Sequence, residues 1–186
     1  MTDDPSVEVR SRSDLRGWLE ANHDTAGTHW LIRWKKGTDH HLSWGDMVSE
    51  LLCWGWIDSV PRKVDAERTA TRISPRSPGS AWSAINKEKV AEARADGSMT
   101  PAGEATIARA EANGMWGFLD DVERLEVPED LAEALGTDRA AWDEVPASLR
   151  RGTLEWLKRA KRDATRAGRI ERVVDAVREG RKPPPA

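Results

Sequence analysis

Residues 51–59 read LLCWGWIDS: two tryptophans flank a glycine, and an aspartate follows the second by two positions. Upstream, Ser43 opens SWGD, a capping-box pattern with Asp46 in the glutamate position. Trp44, Met47, Val48, Leu51 and Leu52 then recur at helical spacing and form one buried stripe. The spacing predicts a helix that closes at Trp54. Gly55 supplies the left-handed residue at which helices end, and Trp56 begins a strand. A helix that stops directly into a strand puts both element types in the chain, and an α+β domain is expected. Each indole needs a large apolar contact and a partner for its N–H, so these tryptophans either line a binding site or pack a core.

On both sides of this junction the two-residue period of strands continues. SVEVRS (6–11) is a short strand, and THWLIRWKK (28–36) is a second, with Trp30, Ile32 and Trp34 on one face. Between them DLRGWLEANH reads as a helix capped by Ser13, with Leu15, Trp18 and Leu19 on one side. WIDSVPRKVD and RTATRISPR read as a hairpin-like pair. In the latter, Thr69, Thr71 and Ile73 share one face. Arg68 and Arg72 share the other, joined by Arg76 if Ser74 and Pro75 keep the register.

The rest is helical. SAWSAINKEKVAEARADG runs from a serine cap near Ser80 to Gly97, and Thr100-Pro101 opens a helix that stops at Gly114. PEDLAEALG is a short helix. From Leu149 to Val177 apolar residues step by threes and fours, as one long helix or two broken near Gly168. The expected organisation is a small, mostly antiparallel sheet carrying helices over 1–126, a helical segment over 127–180 packed alongside, and a frayed tail over 181–186.

Composition sets the outer bounds. The 186 residues carry a net charge of −3, so neither an anionic nor a cationic partner is demanded. No apolar run approaches the length that spans a bilayer, so no membrane insertion is expected. Lone Cys53 forms no internal disulfide and the start MTDDPSVEVRSRS is no signal peptide, which makes the cytoplasm the expected compartment. With ten Trp, one Phe and no Tyr, any stacking surface is built from tryptophan.

The candidate site follows from TRISPRSPGSAWSAINKEK (71–89), where a turn-rich loop joins a strand to a helix. It gathers Arg72, Arg76, Trp82, Ser83 and Asn86. Arginine grips carboxylate or phosphate, backbone N–H groups at a helix start near Ser80 hold anions, and residues three apart point the same way. Trp54, Trp56 and Asp58 complete the set, since Trp56 and Asp58 share the strand period. The plainer reading is local ion pairs, a cap and core tryptophans. Cys53 reads as a small buried hydrophobe, and the four histidines lack metal spacing, so no cofactor or metal is expected. Residues 111–146 hold eleven Asp/Glu, while 147–186 hold twelve Lys/Arg. The basic ridge Lys158, Arg162, Arg166 and Arg169 is therefore expected to be solvated or paired within the chain rather than to bind nucleic acid.

Three blocks, LCWGWIDS, RISPRSPGSAWSAINKEKV and DGSMTPAGEATIARAEANGMW, resemble the YdeI/OmpD-associated, bacteriocin-protection family, and WLIRWKK and AKRDATRAGRI fit it too. The carry-over lands on Cys53, Gly55, Trp56, Ile57, Asp58, Arg72, Pro75, Arg76, Ser80, Trp82, Ser83, Asn86, Met99, Pro101, Gly103 and Trp116. Thr69 and Ile73 depart from the pattern, standing where the family writes aromatics. The resemblance implies a protective role. Together with the residues it leads to an expected protein that binds a planar or amphipathic small molecule or antimicrobial compound without chemistry, in a pocket of Trp54, Trp56, Asp58, Arg72, Arg76, Trp82, Ser83 and Asn86, with a small-molecule or peptide ligand as its partner. The alternatives are an enzyme using Asp58 as general base on a small anionic metabolite, and a nucleic-acid-binding protein using the basic C-terminal helix.

Overall fold

Four short strands form one mixed, mostly antiparallel sheet in the computed structural model, which describes residues 4–185. The strands are β1 (Ser6–Glu8), β2 (His29–Trp34), β3 (Trp56–Lys63) and β4 (Arg68–Pro75), in the order β1-β2-β4-β3. Only β1 and β2 run parallel, and α1 (Arg12–Asn22) makes the crossover between them. The fold is α+β, with a mostly antiparallel sheet and a helical C-terminal segment. The described residues fall into two units, one running to Phe118 and one beginning at Leu119.

In the first unit, Leu31, Trp56 and Ile73 present one sheet face to Leu15 and Leu19 of α1 and to Met47, Val48, Leu51 and Leu52 of α2 (Trp44–Cys53). Val90 of α3 (Ala84–Ala95) and Ile107 of α4 (Pro101–Ala112) close this core. Fully burying each such side chain contributes about 1.5–3 kcal/mol. Trp30, Ile32 and Trp34 share the other sheet face and are half-buried; the Arg62 guanidinium lies 3.9 Å over the Trp30 ring.

Local rules place most helix ends. Ser43 accepts from the Asp46 N–H, Thr100 caps α4 ahead of Pro101, and Gly55 takes φ +71° directly after the C-cap Trp54. The cap of α1 is Ser11 rather than Ser13, because Ser11 lies in the extended conformation from which its oxygen reaches the Asp14 N–H. The cap of α3 is likewise Ser83 and not Ser80, so the helix starts one turn later than its serine-rich lead suggests. Trp44 is also corrected: as the first residue of α2 it lies beyond the covered stripe and is 47% exposed.

The second unit is helical: α5 (Asp120–Glu123), α6 (Glu129–Leu135), α7 (Arg139–Asp143), α8 (Ala147–Lys158) and α9 (Asp163–Arg178). Leu131, Leu135, Trp142, Leu157 and Val173 are buried in it. The break between α8 and α9 falls at residues 159–162, not at Gly168. Two arginines of α9 stabilise it: Arg166 donates to the Leu157 carbonyl at 3.1 Å, and Arg169 to that of Trp156, which α8 leaves free at its end. The stretch read as a frayed tail is tied back, for the Arg181 N–H donates to the Ala176 carbonyl and the Thr153 hydroxyl to that of Pro184. Ala186 and residues 1–3 lie outside the described residues.

Candidate functional site

At the junction that LLCWGWIDS encodes, the first unit has a cavity of about 570 Å³, within the range of about 300–1,000 Å³ typical of small-molecule sites. Trp54, Gly55 and Trp56 line it from one side, Pro75 and Arg76 from the end of β4, and Ala102, Ala105, Thr106 and Arg109 from α4, with His23 and Asp24 at the end of α1. The wall is built by close approach. A Cβ on Gly103 would lie 2.4 Å from the Cys53 carbonyl, so only glycine lets α4 pack against the end of α2. A Cβ on Gly55 would lie 2.3 Å from the Thr106 hydroxyl.

Both tryptophans of the opening motif reach the cavity, but they differ in kind. Trp56 is 1% exposed, and its N–H donates to the His23 carbonyl at 3.2 Å, so it is a core residue that shows the cavity only a margin. Trp54 is half-buried. Its N–H donates to Glu50 at 3.2 Å, and the His23 ring packs against it at 4.7 Å.

Arg76 is the unusual member. After Pro75 the chain leaves the sheet, with the Arg76 N–H donating to the Gly55 carbonyl, so Arg76 turns in while Arg72 stays out. Arg76 is 5% exposed and makes no ion pair among the described residues. Its guanidinium stacks 3.8 Å from the Trp82 ring. Nη2 donates to the Ala81 carbonyl at 2.6 Å and weakly to Asn86 Oδ1 at 3.5 Å, while Nε and Nη1 have no acceptor in the structure. Burial pushes its pKa down to about 10, against the pull of the Asp58 charge.

The remaining candidates are placed as follows. Trp82, a core residue, and Asn86 do not line the cavity and instead contact the Arg76 guanidinium. Ser83 is used as the α3 cap, accepting from the Asn86 N–H. Asp58 accepts from the exposed Trp44 N–H at 3.1 Å and acts on Arg76 and the half-buried Arg33 through its charge. Arg72 lies on the opposite face of the sheet, 2.9 Å from Asp4, and is not brought to the cavity. Burial pushes the Cys53 thiol up, away from the thiolate a nucleophile needs. No group of three or more His, Cys, Asp or Glu that could hold a metal occurs among the described residues. No helix among them is long and apolar enough to cross a membrane.

His23, Thr106 and Arg109 line the cavity without having been singled out in the sequence. The available signal was the run Ala102, Ala105, Thr106, Arg109, which puts small residues and one cation on one face of α4.

An α+β unit with a cavity where helix meets sheet, followed by a helical unit, defines the class. The chain belongs to the family described as "Domain of unknown function (DUF8412)", whose model matches residues 7–106. The model described as "Bacteriocin-protection, YdeI or OmpD-Associated" matches residues 124–180. The resemblance to that second family is thus shown for the C-terminal helices, whereas two of the three blocks quoted for it, and part of the third, fall in the stretch the first model covers. No curated protein and no solved structure matches the chain.

Proposed function

We propose that this chain is a protective binding protein that takes up a planar or amphipathic small molecule in the cavity beside Trp54 and does no chemistry on it. The observation that carries the reading is the cavity itself: an open space of about 570 Å³ where the ends of α1, α2 and β4 meet α4, with Trp54 on its wall. The printed name of the C-terminal family, bacteriocin protection, supports the protective half of the reading. The buried, up-shifted Cys53 thiol argues for binding over nucleophilic catalysis.

The test incubates the protein with a panel of antimicrobial compounds. Thermal melts identify ligands, and mass spectrometry follows each ligand afterwards. The expected result is a raised Tm with the compound recovered intact, and cells expressing the chain surviving that compound while cells expressing Trp54→Ala do not. A compound consumed in proportion to time would make the chain an enzyme. Equal survival with Trp54→Ala would remove the cavity from the function.

A further inference from the structure

The helical unit holds a cavity of its own, of about 350 Å³, near the lower end of the range of about 300–1,000 Å³ in which small ligands sit. Part of its lining is apolar: Val122 of α5 and Leu154 of α8 are buried, and Val127 and Pro128, in the connection to α6, are half-buried. The rest is charged. Asp121 and Glu126 come from α5 and the connection after it, Lys158 and Arg166 from the two sides of the turn between α8 and α9. None of these charges is sealed from water. The Lys158 and Asp121 side chains, paired with each other, are 29% and 41% exposed, and that of Arg166 is 27% exposed. Their bonding capacity is not used up either. Arg166 gives one N–H from each Nη, to the Leu157 carbonyl and to Asp130, and the second N–H on each has no acceptor among the described residues. Glu126 accepts from Arg124 at Oε1, while its Oε2 accepts nothing among them. The signs balance, two carboxylates against two cations, so an ion of one sign meets as much repulsion as attraction here. A molecule carrying both signs on an apolar body meets attraction at each end and covers the aliphatic lining between.

We infer that this cavity is a receptor for zwitterions with an apolar side chain, namely an amino acid or a short peptide with free ends. Arg166 takes the carboxylate through its guanidinium fork, Glu126 takes the ammonium, and Val122 and Leu154 take the side chain. The site lies wholly within the helical unit and is independent of the Trp54 cavity, so neither reading depends on the other.

Calorimetry with one-charge controls tests the sign balance, and methyl NMR tests the place. The zwitterions are leucine and leucylleucine. N-acetylleucine keeps only the carboxylate, leucine amide only the ammonium, and glycylglycine both charges without the side chain. The expected result is that leucine or leucylleucine binds about tenfold or more tightly than every control, a difference of about 1.4 kcal/mol, the tighter of the two giving the length of the occupant. Its binding should shift the methyl resonances of Val122, Val127 and Leu154. Arg166→Gln should erase the advantage over leucine amide, and Glu126→Gln the advantage over N-acetylleucine. Glu126 is exposed, so its variant keeps the test decisive if Arg166→Gln fails to fold. A one-charge control that binds as tightly as the zwitterion overturns the sign balance, and glycylglycine binding as tightly overturns the apolar contact. Methyl shifts at Ala102 and Ala105 in place of Val122 and Leu154 would put the ligand in the Trp54 cavity and overturn this site. If no probe binds at about 10 mM, the zwitterion receptor falls and the Trp54 cavity stands as before.

Discussion

A tryptophan's value to a protein depends on which of its surfaces meets water, and the two ends of α2 show both extremes. Trp56 fills the core beside the Trp18 ring at 5.5 Å, and Trp56→Ala should cost about 3–5 kcal/mol in a denaturant melt. Trp44 lies on the surface with one hydrogen bond to Asp58, so Trp44→Ala should cost about 1 kcal/mol or less. The order is the reverse of what helical spacing alone implies, because a periodic pattern says which positions share a face but not where along the helix the covering sheet ends. Gly55 obeys a simpler rule. Its φ of +71° and the 2.3 Å approach to the Thr106 hydroxyl act separately. Gly55→Ala should therefore destabilise by more than the about 1 kcal/mol that a left-handed alanine costs. Adding Thr106→Ala should recover the hydroxyl part of the clash and leave the left-handed strain and the close Thr106 Cβ and Ala102 carbonyl, at 3.1 and 3.2 Å. Equal melts for the single and double variants would show that the contact, and hence the close packing of α4, is not what limits this position.

At the scale of elements, α1 and α2 are joined by a buried carboxylate. Arg12 and Arg16, one turn apart on α1, reach Glu50 of α2 at 2.9 and 2.7 Å, and the Trp54 N–H donates to the same carboxylate. Glu50 is fully buried, so Glu50→Ala leaves two cations and an indole N–H without their acceptor and should cost about 3–5 kcal/mol. It should also loosen Trp54 and weaken ligand binding, an effect that Arg12→Ala, with a half-exposed side chain, should largely lack. Nothing in the linear pattern marks Glu50, which reads as an ordinary polar position between Val48 and Leu51. The parts of the fold that could be read in advance were those governed by neighbouring residues: the Ser43 cap, the Thr100-Pro101 start, the Gly55 stop, and the pairing of β3 with β4. Ser11 over Ser13, and Ser83 over Ser80, depended on where distant packing set each helix phase. The same holds for the candidate site. Trp54, Trp56 and Arg76 were visible as an aromatic and a cationic cluster, whereas Arg109 and His23 come from elements whose approach depends on the absent Cβ of Gly103 and on the end of α1.

Over the whole chain, charge is segregated in sequence and recombined in space. The acidic stretch before α8 supplies Asp121, Asp130 and Asp138, and the basic stretch after it supplies their partners Lys158, Arg166 and Arg178 at 2.5–2.7 Å, all within the helical unit. The Arg166 hydrogen bond holds the Asp130 carboxyl below its ordinary range. The stabilisation from that pair is present above the unfolded carboxylate pKa and is lost as pH falls through the folded one. Both side chains are partly exposed, so the ion-pair part of the loss in Arg166→Gln should be about 1 kcal/mol or less at neutral pH and should vanish in acid, leaving only the loss of the hydrogen bond to the Leu157 carbonyl. This recombination also bears on nucleic acid. Of the ridge Lys158, Arg162, Arg166 and Arg169, the first and third are held by aspartates, and Arg169 is held by the Trp156 carbonyl and lies 4.6 Å over the Trp156 ring. Only Arg162 of the four makes no ion pair or ring contact among the described residues. Four unpaired cations would give a salt slope of about −3.6, at about 0.9 per phosphate neutralised; the two without a carboxylate partner, Arg162 and Arg169, give about −1.8. A titration of duplex DNA binding against salt should therefore show weak affinity with a slope no steeper than about −2. Tight binding with the steep slope, abolished by Arg166→Glu, would mean that these ion pairs open to release the ridge, and the intramolecular account of the segregated charge would have to be given up.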